Sequence, residues 1–298
     1  MKNNKNIFYI YHNYMLIVYP FLINTWNLYE EFDKPVVGDE QILFYDTTCQ
    51  VVLGRANRNN LNYKNVCMKL MKNLGVYSNE LRPTNPSNER CKTINYWLYY
   101  VTNMTVIPAE IIKTIFEQSN KIAFSGKNQH ICFNTYDEEI INPLKIIKLY
   151  NLQDNIETFL STLKKKGSAD YCSCKKYIYD CVNIYKDMND TYCTDPDDIN
   201  NKNKSTCDML SVFNRSYTEY LFKRIDIGEK IPSLLSEEKE YIDECLSAQS
   251  SVTGTTDQHS NTHSSTTGGV PTTLATMAGV SSVLALFYKV NHNFHLNN

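Results

Sequence analysis

The ten cysteines restrict the fold of this chain more than anything else in it. They are Cys49, Cys67, Cys91, Cys132, Cys172, Cys174, Cys181, Cys193, Cys207 and Cys245, so the first 48 and last 53 residues contain none. An even number confined to one region reads as a disulfide-stapled domain in an oxidising compartment. The alternative is a set of reduced thiols buried as small apolar side chains. Pairing does not follow from sequence, and all ten stand as candidates for cross-links. With 298 residues and an apolar fraction of 42%, there is enough chain for one large domain or two small ones. Only ten Gly and nine Pro, amid abundant Asn, Lys, Ile and Tyr, suit a mainly α protein better than an all-β one. The net charge of -2, with basic residues scattered, gives no electrostatic case for nucleic acid.

Helical periodicity is strongest around one tryptophan. Cys91, Ile94, Leu98 and Val101 fall on one helical face, and Tyr96, Trp97, Tyr99 and Tyr100 widen it until little is left for water. This predicts a central helix with neighbours packed around it. Two or three short helices are expected between Trp26 and Gly75, the clearest over 65–74, where Cys67, Leu70, Met71 and Leu74 share a face before the stop at Gly75. Pro108 starts another, with Ile111, Ile112, Ile115 and Phe116 inward. One long helix is expected from Pro143, through Leu149, Leu152, Ile156, Phe159, Leu160 and Leu163, to the basic end Lys164-Lys165-Lys166 and Gly167. In the next, Cys174, Tyr177, Ile178, Cys181, Ile184, Tyr185 and Met188 line up, which points both cysteines at one neighbour. Two further helices are expected, one through Leu210, Phe213, Tyr217, Tyr220 and Leu221 and a short one over 233–245.

The ends differ in composition. Residues 1–26 carry Lys2 and Lys5 and then an uncharged, aromatic-rich run, which fits a signal peptide, an anchor or an extended gene model. Residues 246–269 are almost wholly Ser, Thr, Gly, Gln, His and Asn and read as a flexible stalk. Residues 270–290 would span about 31 Å as a helix, enough for one transmembrane helix of marginal hydrophobicity. Lys289 then puts the 291–298 tail in the cytoplasm and the rest outside it. The expected architecture is a disulfide-stabilised helical ectodomain over 27–245 on a single C-terminal membrane helix, with the lipid bilayer as its first partner.

Chemistry is sparse. No phosphate-cradling loop, dinucleotide turn or nucleophile elbow occurs, and His130 is the sole histidine between the leader and the stalk. No catalytic, cofactor or metal site is expected. Cys172, Cys174, Cys181 and Cys193 lack zinc-finger spacing, so disulfides account for them better than a metal does. The polar stretches 78–90, 125–135 and 195–204 are candidates for exposed, variable surface.

Cys91, then Ile94-Asn95-Tyr96-Trp97-Leu98-Tyr99, resembles the core motif of the Plasmodium interspersed repeat (PIR, or Vir-type) family. Leu28 to Asp33, the Cys67 helix and the apolar segment ending at Tyr288-Lys289 follow in the family's order, so the resemblance covers about residues 26–290. It implies a variant surface antigen of a malaria parasite, exported into or displayed on the infected red cell. Immune evasion and adhesion to a host-cell or immune receptor would be its roles. The alternative is an internal protein of parasite-made membranes with a trafficking or structural role, and a soluble enzyme is the third class weighed. The family usually lacks a leader such as 1–26, and no Arg-x-Leu-x-Glu/Gln/Asp export motif is present. Sequons at Asn103, Asn189, Asn203 and Asn214 are expected to be unused, since organisms of that family make at most rudimentary N-glycans.

Overall fold

A computed structural model describes residues 14–55, 61–76, 88–104, 107–125, 131–197, 202–224, 231–235 and 245. Among them there is no strand. After a helical turn over 14–18 and a 3-10 turn Pro20–Leu22, the helices are α1 (Ile23–Asp33), α2 (Ile42–Arg55), α3 (Leu61–Asn73), α4 (Asn88–Met104) and α5 (Ala109–Ser125). They continue with α6 (Pro143–Asp154), α7 (Ile156–Leu163), α8 (Ala169–Tyr192) and α9 (Lys204–Ser216), which runs into a π-helical turn, Tyr217–Phe222. The stalk, membrane segment and tail expected over 246–298 lie outside the described residues. No helix among the described residues is long and apolar enough to cross a membrane.

The apolar spacing explains the packing. On α5, Ile111, Ile112, Ile115 and Phe116 are all buried, and this face meets α2 and α3. α3 buries Val66, Cys67, Leu70 and Met71. It ends where Gly75, at φ +66°, lets its own N–H reach Lys72 O at 2.9 Å and the Val76 N–H reach Met71 O at 3.4 Å. That pair of bonds satisfies carbonyls a helix end leaves open. Asn73, buried beside it, donates to Phe32 O at 2.9 Å and so ties the end of α3 to the end of α1. α4 lies between α1 and α6, while α8 takes α6, α7 and α9 along its length.

The expected single helix from Pro143 is two. Asn155 leaves helical geometry at φ -114°, ψ 23°, and its side chain donates to Asn151 O at 2.8 Å. A short polar side chain that bonds nearby backbone competes with the helix at that point. Periodicity could not reveal this, because the apolar face carries through the break. The break also separates the targets of two cysteines. Cys174 Sγ faces Phe159 O on α7 at 3.8 Å, whereas Cys181 Sγ faces Lys148 O on α6 at 3.7 Å.

The segment before α1 is packed. Met15, Tyr19, Leu22 and Trp26 are all buried, the Trp26 indole N–H donates to Tyr19 O at 3.1 Å, and the Tyr19 ring meets Tyr177 edge-on at 4.7 Å. The boundary expected at residue 27 therefore falls inside a continuous packed stretch. At the other end, residues 231–235 are irregular, not the start of a helix, and 236–244 lie outside the described residues.

Cysteines pair in three places, Cys49–Cys67, Cys91–Cys132 and Cys193–Cys207, with Cα–Cα separations of 5.8, 5.3 and 5.6 Å. Cys172 and Cys245 are also disulfide-bonded. Cys174 and Cys181 correct the expectation: both are free and buried. Seven residues apart on one helix, they stand about 10 Å from each other, beyond the reach of a disulfide. Burial also pushes both thiols up, away from the reactive thiolate. Without reductant, the native protein should therefore react with no equivalent of a thiol reagent such as Ellman's, and the unfolded protein with two. Rapid native labelling would contradict the packing of α8.

Candidate functional site

The motif that gives the chain its resemblance occupies α4, and its residues divide into two sets. Ile94, Trp97 and Leu98 are fully buried. The Trp97 ring meets Phe32 of α1 edge-on at 6.2 Å, and its indole N–H has no hydrogen-bond partner among the described residues. These three residues are core.

Cys91, Asn95 and Tyr99 form the second set, four residues apart and hence stacked along one line of the helix. Each grips the irregular stretch 131–137. Cys91 is bonded to Cys132. Asn95 donates to Phe133 O at 3.1 Å and accepts from the Thr135 N–H at 2.8 Å. The Tyr99 hydroxyl accepts from the Asp137 N–H at 3.0 Å. Asn95 offers the stretch an acceptor and a donor, as a neighbouring strand would. From α5, Asn120 adds a bond to Cys132 O at 3.3 Å. Residues 131–135, expected in a variable loop, are thus fastened, yet Phe133 remains 73% exposed.

Tyr96 belongs to neither set. It stacks on Tyr150 of α6 at 4.9 Å and 10°, with the Lys92 ammonium 5.7 Å above its ring. Lys92 pairs with Asp154 at the end of α6. Burial raises the Asp154 carboxyl above its ordinary value, and Lys92 and Tyr96 offset only part of that. Burial also lifts Tyr99 and Tyr150, each to about 12. This edge welds α4 to α6.

Asp180 of α8 contrasts with Asp154. It accepts from Lys148 Nζ at 2.8 Å, from Lys176 Nζ at 3.2 Å and from the Tyr19 hydroxyl at 3.1 Å. Burial disfavours its charge, but Lys148 and then Lys176 outweigh that and hold the carboxyl below its ordinary range. A depressed folded-state value stabilises the fold above the unfolded value, near 4, and that contribution is lost as pH falls through the folded value. Asp180→Asn should accordingly lower stability by about 1–3 kcal/mol at pH 7, with the difference closing in acid once the pH lies below the depressed folded-state value. Asp154→Asn should cost less at pH 7, because there the fold disfavours the ionised form. Urea unfolding of both variants at the two pH values checks the contrast.

The remaining site expectations resolve individually. Cys49 and Cys67 join α2 to α3, and Cys193 is joined to Cys207 across the 195–204 stretch. Of the four cysteines expected in disulfides in place of zinc, Cys193 is paired and Cys172 oxidised, while Cys174 and Cys181 are thiols that face different helices. Among the described residues, no three of His, Cys, Asp and Glu are placed to hold a metal ion. His130 lies outside them. Two sequons have their amides engaged, since buried Asn203 donates to Tyr192 O at 3.1 Å and Asn214 to the Tyr185 hydroxyl at 2.6 Å. The clamp formed by Asn95 and Tyr99 is what sequence reasoning missed. Its only signal was the four-residue spacing from Cys91, which core periodicity obscured. No family model, curated protein or solved structure matches this chain.

Proposed function

We propose that this chain is a PIR-type variant surface antigen: a cross-braced helical domain held outside the cytoplasm on a stalk and one membrane helix, and displayed on or exported into the infected red cell. Its work is presentation and binding to a host-cell or immune receptor, and not catalysis. The observation that carries the reading is the oxidation state of the domain. Three disulfides join successive parts of the chain, and one of them holds Cys91 of the motif. Such cross-links persist outside a reducing cytosol.

The clamp on 131–137 supports a scaffold that keeps its shape while neighbouring surface changes. A residue such as Phe133, fixed from both sides yet open to solvent, loses little freedom when a partner covers it. Protease treatment of intact infected cells tests the proposal. Loss of the 27–245 region, with the remainder resisting carbonate extraction, is the expected result. Protection with continued membrane association would favour the internal trafficking or architectural role, and release by carbonate would overturn both.

A further inference from the structure

We draw no further inference here: the strongest candidate, the outer side of the packed N-terminal segment, where Ile17 at 74% and Ile23 at 49% stay exposed while Met15, Tyr19 and Leu22 are buried, is an apolar face, and nothing in the structure shows what covers it.

Discussion

A chain beginning at Asn27 is expected not to reach a cooperatively folded state. Such a truncation removes Met15, Tyr19, Leu22 and Trp26, all buried. Each large buried side chain stabilises by roughly 1.5–3 kcal/mol, so their joint loss approaches ~10 kcal/mol, comparable with the whole net stability of a domain, ~5–15 kcal/mol. The damage extends beyond area. Tyr177, met edge-on by Tyr19 at 4.7 Å, and Phe159, met by Phe21 at 5.2 Å, would both lose an aromatic neighbour. Asp180 would lose the Tyr19 hydroxyl.

A far-UV melt of the truncated and full-length chains, with the Ellman count of Cys174 and Cys181, measures the outcome. The truncated chain should melt without a sharp transition and expose both thiols. Trp26→Ala, at about 3–5 kcal/mol, should give a folded but weakened intermediate case. A truncated chain with a sharp melt within about 1 kcal/mol of the full length would show the segment to be an addition to a core complete without it. The result also bears on the leader. A signal peptidase cutting after residue 26 would remove part of the packed interior.

Helix positions were legible where one buried face repeats without interruption. Ile111, Ile112, Ile115 and Phe116 identify α5 by their spacing alone, and Gly75 marks the end of α3, since its φ of +66° is one that glycine adopts at little cost. The break at Asn155 was not legible, because Leu152 and Ile156 keep the same face across it and the cause is one side-chain bond to Asn151. Cysteine confinement indicated cross-linking but could not separate eight bonded sulfurs from two buried thiols. Cys174 and Cys181 obey the helical pattern as faithfully as any apolar residue, and in the fold they behave as apolar residues. The clamp escaped for a different reason. Its acceptors and donors belong to an irregular stretch some 40 residues away, and such a stretch carries no periodicity.

That distance sets the size of the second large effect. Replacing Cys91 and Cys132 together by serine should lower the unfolding free energy by about 4 kcal/mol, because the bridge closes a loop of 41 residues. The corresponding losses for Cys49–Cys67 and Cys193–Cys207, with separations of 18 and 14, are about 3 kcal/mol each. Among these three, loop entropy alone thus ranks the motif disulfide first. Asn95→Leu should add a separate cost of about 1–3 kcal/mol, since it orphans the Phe133 carbonyl and the Thr135 amide and places a bulkier branched group against them. The two changes act on one stretch, so they should not sum. Once the disulfide is gone, 131–137 can lift from α4 and take those backbone groups to water, and the cost of Asn95→Leu should fall by about 1 kcal/mol or more. Urea unfolding of the two variants and their combination closes the cycle. Strict additivity would mean that bridge and amide hold the stretch independently; sub-additivity would make the Cys91–Cys132 bridge and Asn95 a single fastening.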